Sequence, residues 1–196
     1  GTDGLPVQMA KVWLDGQLKG TNSEGVATYE KYPGTYAYEV AKVGYDTVAG
    51  SIEVAAPGAE EAVTLEMAEY EIGFVLKSKA DSSLLEGEVS LGDATQSTTN
   101  GEVVFVGTYA ENVAYEATVV GYESEDGIVD IDEDQEHELY LEPLMYNVSL
   151  GVVDDQGEAV SAAAVTFGVH TGQTDEAGQL AMEMAMGGYA YSITRE

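Results

Sequence analysis

The stretch Gly34-Thr35-Tyr36-Ala37-Tyr38-Glu39-Val40 decides the fold. Tyr36, Tyr38 and Val40 alternate with Ala37, Glu39 and Ala41, so one face packs and the other meets water, as in a half-buried strand of an antiparallel sheet. The pattern returns as Asn112-Val113-Ala114-Tyr115-Glu116-Ala117 and again as Gly188-Tyr189-Ala190-Tyr191-Ser192-Ile193. Other anchors keep the same interval: Gly25, Gly101 and Gly178 are 76 and 77 residues apart, and Tyr38, Tyr115 and Tyr191 are 77 and 76 apart. Tyr70 precedes Tyr146 by 76 residues, and the pair Gly44-Tyr45 recurs as Gly121-Tyr122. A period this long, filled with short β-like runs, describes a whole small domain per repeat.

Around this marker each repeat reads as all-β. Ala10, Val12 and Leu14 stand at every second position, as do Gly87, Val89, Leu91 and Ala163, Val165, Phe167, which predicts a first well-marked strand. Polar stretches then end in Asn22-Ser23-Glu24-Gly25, Thr99-Asn100-Gly101 and Asp175-Glu176-Ala177-Gly178, where glycine supplies the positive φ of a tight turn. The next strand places Ala27 with Tyr29, Val103 with Phe105, or Leu180 with Met182 on one face. The alternation Met182, Met184, Met186 reads as a core strand rather than a soft-metal surface. After the Gly-Tyr corner come two final strands, Ser51 to Val54 and Val63 to Met67, then Ile128 to Ile131 and Glu138 to Leu141. Proline stays at edges and turns (Pro6, Pro33, Pro57, Pro143), and no helical periodicity of useful length appears.

The residues Asp154-Asp155-Gln156-Gly157, Val160, Ala163 to Phe167, Thr174 to Gly178 and Gly188 to Tyr191 together resemble the carboxypeptidase regulatory-like domain. Gly44-Tyr45 with Ile52-Glu53-Val54 and Val63-Thr64-Leu65 resembles the related PEGA-type repeats of bacterial surface proteins. The resemblance implies tandem antiparallel Greek-key β-sandwiches, transthyretin-like or Ig-like, in an extracellular or cell-surface accessory role. Three repeats of about 76 residues are expected: 1–68, lacking its first strand; 69–144, complete; and 145–196, lacking its last two strands. The collagen-adhesin B-type domain, a relative, carries a Lys to Asn isopeptide cross-link. Here the final strands contain no Asn and the third repeat contains no Lys, so that cross-link is not expected.

Composition narrows the partners. Thirty-six acidic residues against seven Lys or Arg give a net charge of −29, which repels nucleic acid and anionic membrane surfaces. No apolar run approaches the ~18 residues of a membrane-spanning helix. Thirteen Tyr and abundant Val argue against disorder. Without cysteine there is no disulfide framework, thiolate metal site or thiol nucleophile.

Candidates for chemistry are few, and neither an enzyme activity nor a cofactor or metal site is expected. His137 and His170, the two histidines, occupy different repeats, so neither can form a two-His site within one domain, and both read as surface residues. The acidic run Asp130 to Glu136 has the alternation of a calcium loop but lacks the Gly of an EF-type turn, and reads as a solvated turn. Asn147-Val148-Ser149 has the form of a glycosylation sequon. Trp13 shares a face with Lys11, away from its own core, and is a candidate interface residue. Tyr189, Tyr191 and Ile193 join it, because the last copy of the Tyr strand is followed by no covering strands within the sequence.

Two organisations account for the incomplete repeats: a window onto a longer repeat protein, or subunits that complete one another by strand donation. Both give a non-enzymatic extracellular structural role, as the repeating unit of a stalk or filament, with self-association or neighbouring repeats as partners. The alternative is a carbohydrate-binding or adhesin module that stacks sugars on Tyr45, Tyr122 and Trp13.

Overall fold

The computed structural model describes residues 4–195, and strands and turns account for all of its regular structure. In the first stretch β1 (Lys11–Leu14) and β2 (Gln17–Gly20) form a hairpin closed by Asp15-Gly16, with φ of 52° and 73°. Two positive φ values twist the loop as a two-residue hairpin requires, and Asp-Gly adopts them at low cost. The Tyr-rich strand is β3 (Gly34–Ala41); with β4 (Val48–Val54) it completes a sheet of order β2-β1-β3-β4.

The second stretch repeats this sheet and adds another. Strands β5 (Glu69–Ser78), β6 (Glu88–Leu91), β7 (Ala94–Ser97), β8 (Glu102–Thr108), β9 (Ala110–Thr118), β10 (Glu125–Ile131) and β11 (Gln135–Leu141) give the sheets β10-β9-β6-β7 and β11-β5-β8. The ladder between β5 and β11 is parallel, running from Gln135 opposite Ile72 to Leu141 opposite Ser78. The other ladders of the described residues are antiparallel. The third stretch has β12 (Met145–Gly151), β13 (Ala164–Phe167), β14 (His170–Gln173), β15 (Gln179–Ala185) and β16 (Tyr191–Thr194), in sheets β12-β15 and β14-β13-β16.

The two sheets of residues 69–141 close over Ile72, Phe74 and Leu76 of β5, each fully buried, packed with Val89, Phe105, Ala117, Leu139 and Leu141. Ala10, Val40 and Leu65 make a smaller core in the first stretch, and Val160, Ala163, Val165 and Met184 are buried in the third.

Two predicted strands are corrected. Residues 26–31 and 62–66 run outside any ladder, although their apolar alternation is that of β8 and β11. Period two states only that one face is buried; a strand also needs a hydrogen-bonding neighbour. In the second stretch that neighbour is β5, and no β5 counterpart lies among the described residues of the first. The Met alternation is also corrected at one end. Met184 is buried, but Met186 lies beyond β15 and is 58% exposed.

A threonine clamp, unread in the sequence, recurs at 77- and 76-residue spacing as Thr21, Thr98 and Thr174. In the third stretch the Ala163 N–H donates to Thr174 Oγ1 at 3.0 Å, and that hydroxyl donates to the Val160 carbonyl at 2.6 Å. Thr21 does the same between Ala10 and Val7, at 2.9 and 2.6 Å. The clamp ties the incoming loop to the first strand through an oxygen that water cannot replace, since Thr174 is 5% exposed. Thr174→Val keeps the shape and strands both backbone groups. It is expected to cost about 2 kcal/mol in urea unfolding and to speed hydrogen exchange at the Ala163 amide, with Thr174→Ser restoring most of the loss.

Candidate interaction surface

The Gly-Tyr corners clasp the segments that follow them. At the first, the Tyr45 N–H donates to the Lys42 carbonyl at 3.0 Å, the Asp46 N–H to Glu66 at 2.9 Å and the Ala68 N–H to Gly44 at 3.1 Å. At the second, Tyr122 donates to Val119 at 3.1 Å, Glu123 to Glu142 at 2.9 Å and Leu144 to Gly121 at 2.8 Å. Isolated bridges Tyr45–Met67 and Tyr122–Pro143 lie at the same places. Each clasped segment runs directly into the first strand of the next stretch, β5 or β12.

A residue from that next stretch sits on each corner glycine. Gly44 and Gly121 have φ of +81° and +86°, and an added Cβ would lie 2.7 Å from Tyr109 Cβ or 2.8 Å from Met186 Cε. At Gly44 glycine is therefore required twice over, by its backbone conformation and by the close approach of Tyr109 Cβ; at Gly121 the nearest atom is the flexible end of Met186, and the backbone conformation is what requires glycine. Tyr109 joins β8 to β9, and Met186 follows β15. Tyr32 lies 77 residues before Tyr109, as Tyr109 lies 77 before Met186. Tyr32 is 87% exposed, against 36% for Tyr109.

The four residues singled out in the sequence fall in two places. Trp13 lies on β1, half-buried, with Leu18 and Glu39 as its cross-strand neighbours. The structure gathers the other three around β16. Tyr189 donates its hydroxyl to the Ala185 carbonyl at 2.9 Å, and the Tyr191 ring stacks on Phe167 at 5.8 Å and 15°. Tyr191 and Ile193 are 63% and 39% exposed, whereas their counterparts Tyr38 and Val40 are half-buried and buried. Among the described residues β16 pairs only with β13; in the first stretch β4 closes the corresponding edge of β3. Tyr45 and Tyr122, candidates for stacking on sugars, instead pack against the two cores.

The acidic turn is engaged within the protein. Asp130 accepts the Asn112 N–H at 2.7 Å, Asp134 accepts the Glu71 N–H at 2.9 Å, and Gln135 Nε2 donates to the Asp130 carbonyl at 2.6 Å. Among the described residues no cluster of three or more His, Cys, Asp or Glu is placed to hold a metal ion. His137 departs from its reading as a surface residue. It is half-buried, stacked on Phe74 at 5.5 Å and 28°, with Nε2 at 2.9 Å from Gln135 Oε1. Its alternation along β11 places it over the core aromatics. The perturbed carboxyls belong to turns and strand faces. N–H groups of Glu158 and Gln156 hold Asp154 below the usual carboxylate range, and a hydrogen bond from Lys77 does the same for Glu138.

No protein-family model matches the chain, and no curated protein matches it. Among solved structures it is similar to the Bacillus anthracis TIE protein, at 20% identity and a TM-score of 0.62, over 97% of this chain and 43% of that one. That likeness shows the fold, and the chain spans less than half the length of that protein. Looser alignments reach a streptococcal ancillary pilin, at 11% identity and TM-score 0.30 over 83% of this chain and 72% of that one. The shaft pilin spaA from Lactobacillus rhamnosus GG aligns at 14% identity and TM-score 0.29, over 72% and 91%. Superpositions this loose have no bearing on the fold.

Proposed function

We propose that the chain is a run of three β-sandwich units, divided near residues 68 and 144, of a non-enzymatic extracellular protein that forms a surface stalk or filament. The observation that carries this reading is the corner contact made twice: Gly44 beneath Tyr109 and Gly121 beneath Met186. The strand leaving one unit is the first strand of the next, so the units are coupled end to end with no free linker. The net charge of −29 favours a hydrated surface. The exposed edge of β16 and the unpaired segments of the first unit support a finer reading, in which strands donated between neighbouring copies join chains into a polymer. The turn and core residues shared with carboxypeptidase regulatory-like and PEGA-type repeats are consistent with such accessory modules.

Small-angle scattering of the purified chain tests the reading. Three units in line, each about one ten-residue strand long, give a rod of ~100 Å and a radius of gyration near ~29 Å. A value near ~16 Å, that of a compact chain of this length, overturns it.

A further inference from the structure

We infer that the free edge of β8 is a docking site for an extended basic segment of another protein, which adds there as a further strand and lays apolar side chains beside Val104 and Val106. Every residue of this site lies within residues 69–141, so it draws on neither end of the chain.

The edges of the two sheets in this stretch are not alike. β7 is four residues long and polar or small throughout. β10 carries Glu125, Asp126 and Asp130, and its register shifts between Val129 and Ile131. β11 sets Glu136 and Glu138 on its exposed face. Short length, irregular register and charge are the usual means of keeping an edge from pairing. β8 lacks them: it runs seven residues, pairs with β5 alone among the described residues, and has Glu102 as its one charged residue.

The outer face of that edge is apolar. Val103 and Phe105 belong to the core, while Val104 and Val106 are 51% and 63% exposed. The ladder of β12 with β15 is a control within the chain, since it matches that of β5 with β8 pair for pair. There Ala181 and Glu183 take the places of Val104 and Val106, and Gly151 that of Val75. The ladder forms without valine at those positions, so the apolar strip is not a requirement of the fold.

The strip is set among carboxylates. Glu71 is the cross-strand neighbour of Val106, Glu102 that of Val75, and Glu136 lies across Gly73 from Val104. All three are exposed, and no salt bridge of the described residues includes them. In the ladder of β12 with β15, Asn147 and Gln179 stand where Glu71 and Glu102 stand in the other. Lysine or arginine on an added strand about 4.8 Å from β8 reaches Glu102 directly and Glu71 across Val106. Covering the strip excludes water from these carboxylates, which favours a basic partner and repels an acidic one. A second copy of this chain offers no such segment: the two of its seven Lys and Arg nearest in sequence, Lys77 and Lys79, are paired with Glu138 and Glu142.

The probe is the peptide Lys-Thr-Val-Thr-Val-Thr-Lys, blocked at both ends and titrated into the isotope-labelled 196-residue chain. Amide shifts and hydrogen-exchange protection are expected along β8, with binding that weakens as salt screens the lysines. The same peptide with Glu at both ends is expected not to bind. Val106→Lys is expected to weaken binding about tenfold or more, while Ser97→Lys, the same charge change on the edge of β7, leaves it unchanged. Both positions are exposed, and melting temperatures near that of the wild type show that the variants keep the fold. Equal binding of the two peptides overturns the basic occupant. Protection of β7, β10 or β11 in place of β8, or undiminished binding to Val106→Lys, overturns the site, and the absence of any shift at millimolar peptide overturns both.

Discussion

Phe74→Ala is expected to cost residues 69–141 about 3–5 kcal/mol, enough to unfold a marginal domain of this size. Phe74 is fully buried on the central strand of the sheet β11-β5-β8. Its ring meets Phe105 edge-on at 6.0 Å and 83°, Tyr115 at 5.2 Å and His137 at 5.5 Å. Truncation removes the ring's transfer free energy and leaves a cavity between two sheets whose strands are fixed by ladders on both sides of β5, so the walls cannot collapse. Phe74→Leu retains most of the volume and is expected to cost under about 1.5 kcal/mol. Urea unfolding followed by amide exchange in β5, β8 and β11 measures both. The variant also tests the division into units, because Trp13, the single tryptophan, reports on the first unit. Its emission transition is expected to stay at the wild-type urea concentration while the middle unit unfolds early. A transition that moves by the same amount would mean that residues 1–68 and 69–144 unfold as one body.

The reach of the sequence ended at contacts between distant segments. The Tyr-rich strand was legible because a strand's faces alternate within a few residues, and β3 buries Val40 and half-buries Tyr36 and Tyr38 as its pattern predicts. The Asp15-Gly16 hairpin carried its own signal, an Asp-Gly pair between alternating runs, but lay inside what reads as a polar connection. Val63 to Leu65 has the alternation of a strand and is none, since a ladder depends on a partner that periodicity does not record. Thr174 recurs with the repeat as Thr21 and Thr98 do, but its role was not legible: a threonine in a polar run looks like any turn residue until its oxygen is seen between Ala163 and Val160. The Gly44-Tyr45 repeat was visible, while Tyr109, which lies on that glycine from between β8 and β9, was not. Of the four candidate interface residues, Tyr191 and Ile193 are exposed on β16, and Trp13 sits half-buried in a separate sheet.

Gly178→Ala is expected to destabilise residues 145–195 by about 3 kcal/mol, and Gly157→Ala, in the same stretch, by only about 1. The pair separates two reasons for glycine that a sequence cannot distinguish. Both residues have positive φ, +71° for Gly178 and +82° for Gly157, so alanine at either pays the left-handed penalty. Nothing lies within 4 Å of a Cβ at Gly157, whereas one at Gly178 would stand 2.6 Å from the Val152 carbonyl oxygen and 3.1 Å from the Val160 nitrogen. Those are backbone atoms held in place. Val152 donates its N–H to Gly178 at 2.8 Å and accepts from Val160 at 3.0 Å, and the Val160 carbonyl takes the Thr174 hydroxyl. The clash therefore cannot be relieved by a rotamer change; it must break a hydrogen bond or displace the turn that begins β15. Amide exchange at Val152 and Val160 is expected to rise in Gly178→Ala and to stay at the wild-type rate in Gly157→Ala. Equal losses of stability in the two variants would mean that backbone conformation alone selects glycine at this turn, and the close packing of the turn against Val152 would then contribute nothing to holding the third unit together.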